Sequence, residues 1–69
     1  MIEVFKTNIQ SQYEAKVILE ELNFQFPDYA INFDLEDCDK ILRVEATTIQ
    51  LNAIIEILKN KNFNCQILE

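Results

Sequence analysis

Hydrophobic positions along this chain follow two repeats, one of two residues and one of three to four. Residues 2–9 follow the shorter repeat, with Phe5 and Ile9 on one face and Ile2 and Val4 on the other. Strands that are apolar on both faces usually lie inside a sheet, where both faces are covered. This segment is therefore predicted to be a central strand.

The longer repeat begins at Ser11 and continues to about Asn23. Apolar residues at three- and four-residue steps lie on one stripe of a helix. Here they are Ala15, Ile18, Leu19, Leu22 and Phe26. The acidic residues of the segment fall largely off this stripe. Pro27 cannot continue a helix, so residues 24–28 are predicted to lead out of it.

Two further strands are predicted on either side of a polar turn. Residues 29–35 and 41–46 both alternate, and residues 36–40 between them are too polar to be anything but a turn. The side chains expected to face the core are Ile31, Phe33, Leu35, Leu42, Val44 and Ala46. Two alternating strands joined by a short polar loop predict a β-hairpin.

A second helix is predicted to begin at Thr47, because residues 47–50 (Thr-Thr-Ile-Gln) match the pattern of a capping box. Its buried stripe is expected to be Leu51, Ile54, Ile55 and Leu58. The chain has no glycine, so residues 60–62 (Asn-Lys-Asn) are predicted to end this helix, since asparagine tolerates the left-handed conformation. A short last strand follows, with Phe63, Cys65 and Ile67 facing inward.

The order β-α-β-β-α-β over 69 residues predicts a single α+β domain, residues 1–69. Right-handed crossovers place the strands in the order 4-1-3-2 with both helices on one face, which is the ferredoxin-like sandwich. In this topology the turn after the first strand, the hairpin turn and the loop after the second helix emerge at one end. We name this end the loop rim and define it as residues 10–14, 36–40 and 60–63.

Composition removes several classes of function. A net charge of −6 disfavours nucleic acid and anionic membranes as partners, because both repel an acidic surface. The chain has no histidine and no glycine, and Arg43, its one arginine, lies in mid-strand. It therefore offers neither the commonest general base nor a glycine-rich phosphate loop. We expect no enzyme activity and no cofactor.

The pattern also bears on location. No apolar run approaches the ~20 residues of a membrane span. The first residues alternate and carry an acid, whereas a signal peptide would be basic there. Cys38 and Cys65 do not make the disulfide framework of a small secreted domain. We expect a cytosolic protein without membrane insertion.

Residues 6–9 (Lys-Thr-Asn-Ile), residues 39–45 and the pair Asn62-Phe63 resemble the heavy-metal-associated domain, a copper-chaperone fold. In that family one residue and then Cys-x-x-Cys follow the strand, and the two thiolates bind soft Cu(I) or Zn(II). Ser11 and Glu14 stand at the two cysteine positions here. The resemblance implies the fold and a docking role for this end, which in relatives contacts a transporter domain. It does not carry over the metal binding.

Ser11 and Glu14 match a capping box instead. The Ser11 hydroxyl is expected to accept from the N–H of residue 14, and the Glu14 carboxylate from the N–H of residue 11. Our hypothesis is that these two positions stabilise the end of the helix. The alternative is a role in binding a hard metal ion or another ligand.

The hairpin carries an acidic cluster, Asp34, Glu36, Asp37 and Asp39. Carboxylates suit Ca²⁺ or Mg²⁺, but the spacing lacks the glycine and the closing glutamate of a calcium loop, so a solvated turn is favoured. Cys38 with Asp37 and Asp39 is the alternative metal site, either within one molecule or across two. Cys65 is predicted to be a small core residue.

The leading prediction is a non-catalytic interaction module that binds a protein partner through the loop rim. The residues predicted to form this surface are Gln10, Ser11, Gln12, Tyr13, Glu14, Asp37, Cys38, Asp39, Lys61 and Phe63. Tyr13 either anchors the contact or packs on a neighbouring loop, and Lys61 pairs with the acidic hairpin or with the partner. The alternative is a metal-ion-binding or transport-related protein that uses Cys38 and nearby carboxylates.

The sheet face without helices is predicted to carry a small apolar patch of Ile2, Val4 and Leu68 with charged neighbours. Patches of this size occur on monomers and also mediate weak self-association. We therefore expect a monomer or a weak homodimer.

Overall fold

The computed structural model describes residues 1–68 of the chain. Its elements are β1 (Ile2–Thr7), α1 (Gln12–Gln25), β2 (Ala30–Asp34), β3 (Ile41–Glu45), α2 (Leu51–Asn60) and β4 (Cys65–Ile67). The predicted strands and helices are all present, in the predicted order. Several of their boundaries differ from the predicted ones.

The four strands form one antiparallel sheet with the order β2-β3-β1-β4. Phe5 of β1 lies opposite Leu42 of β3 and Ile67 of β4. Leu42 in turn lies opposite Phe33 of β2. This arrangement confirms the predicted order 4-1-3-2 and the ferredoxin-like α+β fold.

One hydrophobic core joins the sheet to both helices. Its buried members come from β1, β3, α1, α2 and the turn after β1, and they are Phe5, Ile9, Ala15, Ile18, Leu22, Leu42, Val44, Ile54 and Leu58. The strand members share one face of the sheet, since opposite residues in the register point the same way. Both helices therefore cover that face, as predicted.

Strands β1 and β4 are shorter than predicted. β1 ends at Thr7 rather than at residue 9, although Ile9 remains fully buried in the core. β4 begins at Cys65 rather than at Phe63. Because β4 is an edge strand of only three residues, Ile67 and Leu68 stay 39% and 40% exposed.

α1 continues two residues further than predicted, through Phe24 and Gln25. The C-cap residue is Phe26, whose N–H donates to the Leu22 carbonyl oxygen at 2.8 Å. Pro27 then prevents another turn, because its ring would clash with the preceding turn of a helix. The proline therefore limits the helix but does not shorten it as far as residue 23.

The beginning of α2 corrects the sequence prediction. The helix begins at Leu51 rather than at Thr47, and within the described residues the side chain of its N-cap Gln50 makes no capping hydrogen bond. The Gln50 N–H instead donates to the Tyr29 hydroxyl at 2.9 Å. The chain needs residues 46–50 to pass from the sheet to the helix layer, so Thr47 lies too early to cap.

The end of α2 confirms the role predicted for asparagine. Asn62 has φ 69° and donates its N–H to the Lys59 carbonyl oxygen at 2.9 Å. The Phe63 N–H donates to the Leu58 carbonyl oxygen, also at 2.9 Å. These two bonds make the Schellman motif that more often contains glycine.

Candidate functional site at the loop rim

The hairpin turn is attached to the end of β1 by the last residue of that strand. The Thr7 N–H donates to the Asp39 carbonyl oxygen at 3.0 Å. The Thr7 hydroxyl, which is buried, donates to the Lys40 carbonyl oxygen and accepts from the Ile9 N–H. One threonine thus connects residues 36–40 to the beginning of the β1–α1 turn.

The loop after α2 is attached on the other side of β1. The Asn8 side-chain oxygen accepts a hydrogen bond from the Asn64 N–H at 2.8 Å. Because β1 lies between β3 and β4, its end can contact both neighbouring loops. The structure therefore brings together the three loops that are far apart in the sequence.

The first turn of α1 has both capping interactions, one of them shifted by a residue. The Glu14 N–H donates to the Ser11 hydroxyl at 3.1 Å, as predicted. The Glu14 carboxylate accepts from the Gln10 N–H at 2.8 Å, rather than from the N–H of residue 11. Ser11 is extended, with φ −141° and ψ 160°, which leaves the preceding amide within reach of the carboxylate.

Tyr13 lies on this turn with 76% of its surface exposed. Packing on a neighbouring loop, one of the two predicted alternatives, would have covered much more of the ring. Gln10, Ser11 and Gln12 are also exposed. The β1–α1 turn therefore presents one aromatic ring among short polar side chains.

Asp37, Cys38 and Asp39 form a compact group in the hairpin turn. One potential ligand atom from each lies within 4.8 Å of the others. The Asp37 carboxylate accepts from the Asp39 N–H at 2.8 Å, and the Asp39 carboxylate lies 3.8 Å from the Lys6 amine. The two carboxylates thus already stabilise the turn without a metal ion, as expected for a solvated acidic turn.

Lys61 and Phe63 contribute less to the rim surface than the sequence suggests. The Lys61 amine lies 3.9 Å from the Glu21 carboxylate of α1, so it is paired with that helix rather than with the acidic hairpin. Phe63 is half-buried and packs against the core. The exposed part of the rim is therefore formed by residues 10–13, 36–38 and 60–62, and the Lys61 amine within it is paired with Glu21.

The two cysteines lie in different environments, and both are free thiols. Cys38 is exposed in the hairpin turn, whereas Cys65 lines an open cleft of about 360 Å³ with Ile55, Lys59 and Phe63. Burial raises the pKa of the Cys65 thiol to about 12, because the thiolate would lose its hydration. At neutral pH Cys65 is protonated, so it is a poor nucleophile and a poor metal ligand.

Comparisons with known proteins add no relative to this description. No family model, no curated protein and no solved structure matches the chain. Within residues 1–68 neither helix has the length and apolar character required to cross a lipid bilayer.

The sequence reasoning missed the two residues that hold the rim together, Thr7 and Asn8. A buried threonine at the end of a strand and an asparagine in the next turn give no distinctive local signal, because their partners are 33 and 56 residues away along the chain. Only the tertiary arrangement shows their function.

Proposed function

We propose that this chain is a non-catalytic interaction module that binds a protein partner through the loop rim. The observation that carries the proposal is Tyr13, an aromatic side chain that is 76% exposed on the first turn of a helix. Tyrosine is enriched at the centres of protein interfaces, where its ring supplies contact area and its hydroxyl a hydrogen bond.

The hydrogen bonds that join the loops of the rim support the same function. Residues 36–40 and the loop before β4 are attached to β1 through Thr7 and Asn8, and Ser11 caps the helix that carries Tyr13. A surface held in one conformation loses less entropy when it binds, so more of the contact energy appears as affinity.

The capping interactions are what we expect if this chain is related to heavy-metal-associated domains and its metal ligands have been replaced. Ser11 and Glu14, at the positions of the two cysteines in that family, both bind backbone amides here. The double variant Ser11→Cys and Glu14→Cys tests this relation. It should bind Zn(II) or Cu(I) under reducing conditions if the backbone is that of the family, and Ser11→Ala with Glu14→Ala is its matched control.

Site-specific photo-crosslinking tests the interaction. The protein would carry p-benzoylphenylalanine at Gln12 or at Cys38, both exposed on the rim, or at Asn52, exposed on α2. The rim positions should capture the same cytosolic protein in the cells of origin, and the Asn52 position should not. The purified partner should then shift the amide resonances of residues 10–14 and 36–40, and Tyr13→Ala should weaken binding about tenfold.

Capture that is equal from all three positions, or a purified partner that leaves the rim resonances unchanged, would refute the proposal. A partner that binds Tyr13→Ala as tightly as the wild-type protein would remove Tyr13 as the anchor.

A second candidate function is metal binding at the hairpin, favoured by the three ligand atoms of Asp37, Cys38 and Asp39 within 4.8 Å of one another. Amide spectra recorded during titration with Zn(II), Cu(I) and Ca²⁺ separate it from the first. Metal binding predicts shifts confined to residues 36–40 that disappear in Cys38→Ser. A silent titration would leave the interaction module as the only candidate.

A further inference from the structure

The outer face of α1 carries a second apolar stripe, opposite the one that packs into the core. Tyr13, Val17, Glu20 and Phe24 follow one another at steps of four, three and four residues, which places them on one line along the helix. Tyr13 is 76% exposed and Phe24 83%, whereas Val17 between them is half-buried. The stripe runs from residue 13 to residue 24, which is about 16 Å of helix.

α2 has no such stripe among its described residues. Its side chains directed away from the core are Asn52, Glu56, Lys59 and Asn60, all polar and exposed. Two exposed aromatic rings on one face of α1 are therefore a property of that helix and not of the layer as a whole. Scattered apolar side chains are normal on a surface, but an aligned set indicates a contact surface.

The straight line of this stripe suits a second helix as the structure that covers it. Steps of four and three residues form the seam along which two helices pair, since the side chains of one helix insert between those of the other. We infer that the outer face of α1 binds a basic amphipathic helix of a protein partner.

The negative charge of Glu20 on α1 is the reason to expect a basic partner helix. Glu20 occupies an exposed position within the seam. The neighbouring Glu21 is already paired with Lys61, and Glu14 accepts from the Gln10 N–H. Lys16 is the single cation of α1. Neither Glu20 nor Lys16 forms an ion pair with any of residues 1–68. A carboxylate in a helix seam is costly unless it is paired. A lysine or arginine on the opposing helix supplies that pair and fixes its register.

The same residue argues against a second copy of this chain. Parallel pairing of two α1 helices would place Glu20 against Glu20 of the other copy, and antiparallel pairing would place it against Val17. The first arrangement is repulsive and the second leaves a carboxylate against methyl groups. Anionic lipid surfaces would likewise be repelled by the unpaired Glu20 and by the net charge of −6.

This inference rests on the proposed function only in that the partner is a protein. The rim and the stripe have Tyr13 as their one clearly exposed aromatic residue in common. Phe24 lies at the opposite end of α1 from the rim, and Cys38 belongs to the rim but not to the stripe. Variants at these two positions therefore separate a failure of the stripe from a failure of the rim.

The test uses two synthetic helical peptides of about four turns, a length on the order of 15 residues. Both have leucine at all but one of the seam positions. The remaining seam position and the flanking positions carry lysine in one peptide and glutamate in the other. Affinity is measured by fluorescence anisotropy and the bound face by amide shifts. The lysine peptide should bind at least about tenfold more tightly than the glutamate peptide, with shifts along residues 13, 17, 20 and 24.

Three variants complete the design. Phe24→Ser should weaken binding of the lysine peptide about tenfold, and Asn52→Ser on α2 should leave it unchanged. Glu20→Lys should reverse the preference between the two peptides, a result that loss of folding cannot produce. Cys38→Ser should not affect peptide binding, because Cys38 lies on the rim and outside the stripe.

Several outcomes would overturn the inference. They are no binding of the lysine peptide, equal affinity for the two peptides, or full affinity in Phe24→Ser. Self-association of the wild-type protein that Phe24→Ser abolishes would assign the stripe to a second copy. Adsorption to phosphatidylcholine vesicles that requires Phe24 would assign it to a membrane surface.

Discussion

The two strand-to-helix junctions of this molecule share the sequence Thr-x-Ile-Gln, at residues 7–10 and 47–50, yet they fold differently. In both, the isoleucine packs with the core, as Ile9 and as Ile49. In the first junction the residue after the glutamine is Ser11, which caps α1. In the second it is Leu51, which is already helical.

The two helices therefore begin with different kinds of hydrogen-bond partner, one that is local in the sequence and one that is distant. α1 receives its cap from the adjacent Ser11 and Glu14. α2 receives its cap from Tyr29, 21 residues away, whose hydroxyl accepts from Gln50. The Tyr29 ring stacks on Phe26, with ring centroids 4.6 Å apart. A residue just after α1 thus provides the hydrogen-bond acceptor at the beginning of α2.

Replacing Tyr29 should have the largest effect of the changes at either junction. Tyr29→Ala removes both the stacked ring and the cap of α2, so we expect a loss of about 2 to 3 kcal/mol of unfolding free energy, less than for a fully buried aromatic. Urea unfolding followed by circular dichroism measures it. Tyr29→Phe keeps the ring and should cost only about 1 kcal/mol, the contribution of one hydrogen bond. Equal losses in the two variants would show that the ring contributes nothing.

Removing the local cap of α1 should have the next largest effect. Ser11→Ala deletes the acceptor for the Glu14 N–H, and we expect a loss of about 1 kcal/mol. In a domain of this size that lowers the melting temperature by roughly 4 to 8 °C. Ser11→Asp, which retains an acceptor, is the control and should melt close to the wild-type protein. A full loss in Ser11→Asp would attribute the effect to something other than capping.

Neutralising Glu14 should be milder. Glu14→Gln keeps an acceptor for the Gln10 N–H but removes a negative charge from the positive end of the helix dipole, so we expect a loss of about 0.5 kcal/mol at low ionic strength. Thermal melts at low and at high salt distinguish the two contributions, since salt screens only the charge. A loss that does not change with salt would assign the effect to the hydrogen bond.

Thr47→Ala should have the smallest effect. Thr47 is exposed and precedes the helix by four residues, so the change should stay within about 0.5 kcal/mol of the wild-type stability. Measured together with Ser11→Ala, the Thr47→Ala variant compares the contributions of the two capping patterns, one beginning at Thr47 and one at Ser11. A loss as large as that of Ser11→Ala would mean that Thr47 caps α2 in solution.

The sequence alone predicted the fold because its periods are unambiguous. Alternation in residues 29–35 and 41–46 predicted the hairpin, and the structure places Ile31 and Phe33 inward and Asn32 and Asp34 outward. Asn62 ended α2 as predicted, since few residues other than glycine tolerate its backbone conformation. These features depend on neighbours in the chain, and local patterns report such neighbours well.

The errors in local structure are shifts of one or two residues, as at the end of α1, whereas the larger errors involve partners that are distant in the sequence. Thr47 matched a capping pattern, but the distance from the sheet to the helix layer displaced the start of α2. Of the two pairings predicted for Lys61, with the acidic hairpin or with a partner, the first is not formed. The Lys61 amine lies near Glu21 instead, because the relative position of two helices is not encoded in either one. The candidate site shares this limit. Its loops were predicted to meet, but the Thr7 and Asn8 contacts that join them were not.

The chain folds without a single glycine, and within residues 1–68 only Lys40 and Asn62 have positive φ, at 49° and 69°. Glycine is the residue that gains the most freedom when a protein unfolds. A chain that lacks it explores fewer conformations in the denatured state, so less entropy is lost on folding. A domain of this size, with a small core and both cysteines unpaired, thereby gains part of its stability from a restricted denatured ensemble.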